Sequence, residues 1–272
     1  MHGEAFPSLG FVVHGLAPQG FSLMLEDGPA EALETWDRAL TSEVDVALIT
    51  HAHSNTGKLS PVADIARVCR ERGILCLIDV AQSAGVIPID LEAWGADAIV
   101  GSCVKWLCGG PGAGWLWVSE ALLPDLSPQR LGWFSHEDPF EFDIKDFRAA
   151  PSALKFWGGT PSVAPYVLAR AGIEAIASIG VEAVRAHNLA LMRACLDTAG
   201  LDSHLLDPEV NTGTLCLTFA EDRVPDARAA LDAIQCHHDW RARTARLSFH
   251  AFNTAGEAGT VGRAIAPFLS HR

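Results

Sequence analysis

Lysine is scarce in this sequence, which has only Lys58, Lys105, Lys145 and Lys155 among its 272 residues. Positive charge is limited as a whole, because 20 lysines and arginines stand against 33 aspartates and glutamates, for a formal net charge of -13. Proteins that bind nucleic acid use clustered cations to meet the phosphates, so this balance argues against a nucleic-acid partner. The rarity of lysine also makes the surroundings of each one informative.

Long apolar runs, a signal peptide and a disulfide framework are missing as well. No apolar run approaches the roughly 18 residues that a membrane span needs. The amino-terminal stretch MHGEAFPSLG has no basic region followed by an apolar one. The seven cysteines are odd in number, irregularly spaced and without a CxxC pair. We therefore predict a cytoplasmic protein with no membrane partner and no structural disulfides.

What is present is the composition of a globular α/β protein. Hydrophobic residues make up 49% and charged residues 19% of the chain, and 272 residues suffice for one large and one smaller domain. Short apolar runs alternate with amphipathic segments, as in VDVALIT (44–50), PVADIARVCRERG (61–73), ILCLID (74–79) and DAIVGS (97–102). This alternation of apolar and amphipathic segments predicts βαβ units and a mostly parallel sheet with both faces buried.

The rest of the chain predicts a boundary near residue 180. A strand at AGWLWV (113–118) precedes a loop region over 119–157, and two helices then lead into alternating αβ elements. We predict a large domain over 1–180 and a small α+β domain over 181–272. Further predicted elements are a strand at FSLMLE (21–26), a helix at AEALETWDRAL (30–40), strands at 214–219 and 245–252, and helices at 225–234 and 257–269.

Polar residues follow three of the predicted strands. The loop THAHSNTG holds His51, His53 and Asn55, which either face a ligand or are ordinary turn residues. Asp79 ends the second strand, and Lys105 follows the third in GSCVK. Because ligands of open α/β sheets bind at the carboxyl ends of the strands, these side chains are candidates for one site.

Asp79 and Lys105 are the pair that pyridoxal phosphate chemistry requires. A desolvated lysine has a lowered pKa and forms a Schiff base with an aldehyde. A buried carboxylate needs a cationic partner, which the protonated pyridine nitrogen of the cofactor provides. The alternative is a structural ion pair between Asp79 and Lys105.

The run from Asn55 to Val118 resembles the class V aminotransferase group of fold-type I pyridoxal phosphate enzymes. Its segment IDVAQSAGVIPIDLEAWGADAIVGSCVKWLCGGPGAGWLWV is similar to the cofactor-lysine segment of kynureninases and their relatives. The likeness continues in the family's order through LGWFSH (131–136), FWGGTPSV (156–163), IGVEAVRAHNLAL (179–191) and ARLSFHAFNT (245–254). It implies a fold-type I structure, a pyridoxal 5'-phosphate cofactor and an amino-acid substrate.

Five residues are assigned to the cofactor side of the site by this resemblance. It implies that Lys105 is the Schiff-base lysine and Asp79 the partner of the pyridine nitrogen. Gln82 would bind the phenolic oxygen of the cofactor, as in desulfurase-type members, where kynureninases have histidine. Ser102 matches a phosphate ligand, and Asn55 matches a residue near the cofactor oxygen and the substrate.

Three further positions concern the substrate and the assembly. Arg246 matches the arginine that grips the substrate α-carboxylate. Trp133 and Thr160 match positions that reach the phosphate from the neighbouring subunit, which implies a homodimer with shared active sites. Val104 stands where kynureninases usually have tyrosine, so kynureninase activity is in doubt. Transaminase, lyase and kynureninase-type hydrolase reactions all remain open.

Other features are expected to be structural. The sequence around Cys236 does not match the persulfide loop of cysteine desulfurases, so we do not expect Cys236 to be a nucleophile. The histidines at 237–238 predict a polar turn, and no metal site is expected because no third ligand is spaced for zinc. Tryptophans 94, 106, 115 and 117 are predicted to pack in the core or an interface.

The amino terminus departs most from the family pattern. Family members carry a long segment before the counterpart of FPSLGFVVHG, which supplies a phosphate-binding turn and an aromatic ring that stacks on the cofactor. We expect both to be missing here. This motivates an alternative function, namely a truncated relative without catalysis, or half of a split enzyme, that acts as an assembly partner.

Overall fold

The larger sheet has three parallel strands and one antiparallel strand, in sequence order across the sheet. The computed structural model, which describes residues 1–269, therefore confirms the mostly parallel sheet expected from the apolar runs. Within this part of the chain, no helix combines the length and apolar composition that a membrane span requires. The strands are β1 (Val46–Thr50), β2 (Leu75–Asp79), β3 (Ala98–Ser102) and β4 (Gly114–Val118).

A predicted amphipathic helix connects the first two strands. It ends where expected, because Gly73 adopts a left-handed φ of 69° and its N–H caps the carbonyls of the last turn. The buried face of the helix, with Ile65 and Cys69, packs in one core with Ile49 and Ile78 of the sheet. The helices of this half are α1 (Pro7–Gly15), α2 (Leu33–Ala39), α3 (Val62–Arg72), α4 (Leu91–Trp94) and α5 (Val163–Ile179).

The first 30 residues differ from the prediction. FSLMLE is not a strand, and only an isolated bridge between His2 and Glu26 forms there. The apolar side chains of Phe21 and Leu25 are exposed, because no neighbouring strand runs alongside to bury them. The sequence also did not predict α1, whose Phe11 and other apolar residues face outward.

The carboxy-terminal part forms a second core around a three-stranded antiparallel sheet. Its strands are β5 (Thr214–Thr218), β6 (Asp239–Arg241) and β7 (Thr244–Ser248), in the spatial order β5-β7-β6. Helices pack on this sheet, so the predicted α+β arrangement is present. The sequence missed β6, which has only three residues. The domain boundary at residue 180 stays a prediction. The helices of this part are α6 (Val181–Thr198), α7 (Val224–Ala233) and α8 (Ala255–Ile265).

Candidate cofactor site

Lys105 is half-buried in a turn that follows β3. A side chain at Gly101 would come within 2.3 Å of the Trp115 ring, so this ring fixes the path of the strand into the turn. The turn closes on itself, because the Cys108 N–H donates to the Lys105 carbonyl at 3.0 Å and the Gly109 N–H donates to the Cys103 carbonyl at 2.7 Å. The backbone around the lysine is therefore well defined.

The glycine-rich turn after Lys105 packs against helix α5. Gly110 and Gly112 have left-handed φ angles of 68° and 98°, which few other residues adopt. A Cβ on Gly109 would lie 2.7 Å from the Cα of Ala169 in α5. The glycines thus let α5 approach the backbone beside the lysine.

Asp79 faces Lys105 from the end of the adjacent strand. Asp79 is 8% exposed, and its Oδ1 accepts a hydrogen bond from the Ala81 N–H at 2.9 Å. Burial raises the pKa of Asp79, opposed by the Ala81 N–H and by the positive charge of Lys105. Burial lowers the pKa of Lys105, opposed by the charge of Asp79.

The charges of Asp79 and Lys105 affect each other although the two side chains form no ion pair. Among the ion pairs within residues 1–269, none joins Lys105 to Asp79 at 4.0 Å or less. The structure thus does not contain the structural ion pair that was the alternative interpretation.

An aromatic ring covers Lys105 from the amino-terminal segment. The Phe6 ring centroid lies 5.5 Å from Lys105 Nζ, within the range of a cation–π contact. The expectation that the ring which stacks on the cofactor is missing stays a prediction, because this contact is with the lysine. The sequence did not indicate this contact, because it joins residues that lie far apart in the chain.

The loop after β1 contains two buried histidines, His51 and His53, followed by Asn55. His51 Nδ1 bonds Ser83 Oγ at 2.9 Å, and His53 Nε2 bonds Ser60 Oγ at 3.0 Å. Burial, then the neighbouring His53, lowers the pKa of His51 to about 3. Burial, followed by a nearby histidine, lowers that of His53 to about 4. Both imidazoles are therefore buried, bonded to serine hydroxyls and neutral at pH 7, and a ligand-binding role for them stays a prediction.

Asn55 connects this loop to the segment that carries Phe6. Its Nδ2 donates to Glu4 Oε2 at 2.8 Å. Glu4 lies two residues before Phe6, so the hydrogen bond ties the loop after β1 to the chain beside Lys105. The sequence analysis missed Glu4, and no local pattern marks it. The substrate role of Asn55 stays a prediction.

Arg246 approaches Lys105 from the second sheet. It pairs in register with Cys216 of β5 and with Asp239 of β6. Arg246 Nη1 donates to Asp239 Oδ2 at 2.6 Å, and its positive charge contributes to the lowered pKa of Lys105. Burial raises the pKa of Cys216 to about 11 although Arg246 acts against it, so this thiol stays protonated at neutral pH.

Gln82 and Ser102 lie at the carboxyl ends of β2 and β3, where the prediction placed them. Ser102 Oγ accepts a long hydrogen bond from the Val104 N–H at 3.4 Å. No hydrogen bond within residues 1–269 joins either side chain to Asp79 or Lys105. The hydroxyl of Ser102 and the amide of Gln82 therefore remain able to bind a ligand, and their cofactor roles stay predictions.

Trp133 and Thr160 lie in two segments that contact each other. Ser135 Oγ donates to the Trp157 carbonyl at 3.0 Å, and a side chain at Gly132 would collide with the backbone of Gly158. Across the described chain, no hydrogen bond or ring contact joins Trp133 or Thr160 to Lys105. A cavity of about 350 Å³ lies beside Trp133, and Lys105, Asp79 and Arg246 are not among the residues that line it.

The remaining candidates have structural surroundings. Burial raises the pKa of Cys236, which packs at the edge of the second core. His238 bonds Asp232 and the Trp240 indole, and no group of three or more metal-binding side chains occurs within residues 1–269. Trp106 is buried and stacks on His250. The other three predicted core tryptophans, at 94, 115 and 117, pack on the core of the larger sheet.

Comparison with known proteins identifies a matching family and relatives that are similar in sequence. Residues 23–258 match the family model described as Aminotransferase class-V. The kynureninase of Pseudomonas fluorescens is 32% identical over 191 residues, which cover 68% of this chain and 44% of that protein. The kynureninase of Burkholderia mallei strain SAVP1 is 32% identical over 193 residues, which cover 70% of this chain and 45% of that protein. The chain spans less than half the length of these curated relatives.

Solved structures share the fold at lower identity. The C-DES mutant with glycine covalently linked to its PLP cofactor has a TM-score of 0.85 at 20% identity, covering 98% of this chain and 73% of that one. The apo cysteine desulfurase of Thermococcus onnurineus NA1 has a TM-score of 0.78 at 19% identity, covering 93% and 68%. Identities this low show the fold alone, and the predicted fold-type I α/β architecture is confirmed.

Proposed function

The chain belongs to the aminotransferase class V family, and we propose that it binds pyridoxal 5'-phosphate and acts with it on an α-amino acid. One observation carries the proposal. Asp79 ends β2 and Lys105 lies in the turn after the adjacent strand β3, the two interact electrostatically without forming an ion pair, and Lys105 Nζ lies 5.5 Å from the Phe6 ring centroid. This arrangement matches the aldehyde, the pyridine nitrogen and the aromatic face of the cofactor.

The surroundings of Asp79 fit the nitrogen end of the cofactor. Oδ1 has the Ala81 N–H as a partner, whereas no residue of the described chain donates to Oδ2. Burial disfavours the charged carboxylate, so a cationic nitrogen placed next to Oδ2 would stabilise it. Asp79 would in turn keep that nitrogen protonated.

Lys105 would hold the aldehyde end. When bound, pyridoxal phosphate supplies an aldehyde that condenses with amines and a ring that withdraws electrons from the bonds of the substrate α-carbon. The lowered pKa of Lys105 increases the fraction of neutral amine, which is the form that attacks a carbonyl and accepts a proton. Lys105 Nζ would therefore also move protons at the α-carbon.

Three side chains would serve the rest of the cofactor. Phe6 would cover one face of the ring, which excludes water from it. Gln82 would donate to the phenolic oxygen, and Ser102 would donate to the phosphate. These assignments are supported by their positions after β2 and β3 and by their uncommitted donors.

Arg246 would select substrates that carry a carboxylate. Its guanidinium lies near Lys105 and retains donors that no residue of the described chain uses. A planar guanidinium binds a carboxylate through two parallel hydrogen bonds. Asn55, held by Glu4, would contact the same substrate. The proposal covers transaminase, lyase and kynureninase-type hydrolase reactions, because all of them break bonds at or beside the α-carbon.

We propose further that two copies of the chain share their active sites. Trp133 and Thr160 would reach the phosphate of the partner site, which agrees with their separation from Lys105. Large apolar side chains are exposed on α5 and on the loop before it, and a contact with a second copy would bury them. They are Phe140, Phe142, Ile144, Val163, Val167 and Leu168. The cytoplasmic location stays a prediction.

A titration with pyridoxal phosphate tests cofactor binding. We expect a new visible absorbance band that saturates at one cofactor per chain. Lys105→Ala should remove the band, whereas Lys145→Ala, which changes an exposed lysine, should leave it intact. An unchanged band in Lys105→Ala would rule out the assignment. Binding without turnover of any amino acid would instead favour the assembly-partner alternative.

A mixing experiment tests the shared site. Lys105→Ala and a Trp133→Ala/Thr160→Ala double variant should each bind the cofactor poorly. Mixed chains that form heterodimers would combine an intact Lys105 with intact phosphate contacts in one of the two sites, so cofactor binding should recover. No recovery in a mixture that sediments as a dimer would contradict the sharing of sites.

A further inference from the structure

We propose that Asp239 is a positioning residue, which fixes the guanidinium of Arg246 so that it receives a substrate carboxylate in one orientation. The inference rests on the proposed function, since Arg246 requires such a ligand only if the substrate is an amino acid. Arg246 Nη1 donates to Asp239 Oδ2 at 2.6 Å, across a pair in register between β6 and β7.

Asp239 is itself held in place by its neighbours on β6. Its Oδ1 accepts hydrogen bonds from the Trp240 N–H at 2.8 Å and from Arg241 Nη1 at 3.0 Å. Both carboxylate oxygens are therefore engaged, and Oδ2 is presented to Arg246 by a carboxylate that is already oriented. A fixed acceptor of this kind defines the plane of the guanidinium bound to it.

Arg246 keeps most of its hydrogen-bonding capacity free. A guanidinium has five N–H donors, and Asp239 is the only residue of the described chain that accepts from this one. Arg246 Nε is buried and has no acceptor among residues 1–269. A buried charged donor without a partner is costly, and a ligand carboxylate would remove that cost.

The contact leaves one edge of the guanidinium for a ligand. Asp239 occupies Nη1, while Nε and Nη2 form the other edge, whose two N–H groups point in parallel. The Arg246 side chain is 14% exposed, whereas that of Asp239 is 52% exposed. The guanidinium is therefore shielded from water, while the carboxylate that binds it is partly solvated. Asp239 would then orient Arg246 without filling the carboxylate position.

Paired ligands with and without a carboxylate test this role. L-alanine and ethylamine differ by the carboxylate alone, and their affinities for the cofactor-loaded protein can be measured from the change in visible absorbance. Asp239→Ala should reduce the preference for L-alanine by roughly threefold to tenfold, because Arg246 must then be ordered by the ligand. Asp239→Asn, which keeps an acceptor, should lose less.

Asp232→Asn is the matched control, since Asp232 is another exposed carboxylate of this lobe and pairs with His238. It should leave the preference within about twofold, below the range expected for a lost side-chain constraint. An unchanged preference in Asp239→Ala would overturn the inference. A stronger preference would overturn it too, because it would mean that Asp239 competes with the substrate for Arg246.

A second measurement needs no cofactor. Phenylglyoxal modifies arginines, and the rate at Arg246 can be followed by peptide mass spectrometry. Asp239→Ala should accelerate modification of Arg246 at least several-fold, while Arg263, on helix α8, serves as the internal reference and should not change. An equal rate at Arg246 in both proteins would overturn the inference. Failure of the wild type to bind pyridoxal phosphate would instead count against the proposed function alone.

Discussion

Lowering the pH from 7 to 5 should remove about 4 kcal/mol from the free energy of unfolding through His51 and His53 together. Both side chains are buried next to the end of β1 and have hydroxyl partners, Ser83 and Ser60. Neither has a carboxylate within ion-pair distance in the described chain that would stabilise a positive charge. Protonation of either imidazole is therefore opposed by the fold.

The magnitude follows from the two pKa values. In the unfolded chain a histidine titrates near 6.5, whereas the folded values are about 3 for His51 and about 4 for His53. Because the unfolded state binds these protons more tightly, the stabilisation is complete above pH 6.5 and decreases as the pH falls. At pH 5 each histidine accounts for a loss of about 2 kcal/mol, a large share of a typical stability of about 5–15 kcal/mol.

Urea unfolding at pH 7, 6 and 5 measures this effect. The double variant His51→Asn/His53→Gln places neutral amides near the nitrogens that bond Ser83 and Ser60. It should be less stable at pH 7 but lose about 4 kcal/mol less than the wild type on going to pH 5. His204→Gln, at an exposed site, should show the wild-type slope. Equal slopes in the wild type and the double variant would refute the reasoning.

Three further substitutions have expected outcomes. Gly101→Ala should destabilise the protein by about 1–3 kcal/mol in urea unfolding because its Cβ meets a tryptophan ring, whereas Gly159→Ala, with open space around it, should change little. Arg185→Met should cost about 3 kcal/mol or more by the same assay, since the buried guanidinium donates to three backbone carbonyls. Phe6→Ala should weaken binding of pyridoxal phosphate severalfold in the absorbance titration, and Phe11→Ala, on the exposed helix nearby, should not.

The parts of the fold that follow local patterns could be predicted. The strands β1 to β3 were recognisable from their apolar runs, and helix α3 from its amphipathic period and the glycine that caps it. Each of these signals lies within the segment that it predicts. FSLMLE shows where this fails. An apolar run becomes a strand only when a neighbour pairs with it, and here only Glu26 finds a partner.

The candidate site was predictable to a similar extent. Asp79 and Lys105 followed from strand ends, and the resemblance to class V aminotransferases added Arg246. Phe6 and Asp239 were missed, because their contacts with Lys105 and Arg246 join segments far apart in the chain. The roles of His51 and His53 were ambiguous in the sequence, because a sequence does not show whether a histidine in a loop is exposed or buried. The structure buries both.

The most direct test of the account is to trap the cofactor on its lysine. Borohydride reduction of the chain mixed with pyridoxal phosphate, followed by peptide mapping, would show which of Lys58, Lys105, Lys145 and Lys155 carries the pyridoxyl group. We predict modification of Lys105 at one group per chain, and much less at the other three lysines. Modification of the other lysines, with Lys105 unmodified, would contradict the central claim.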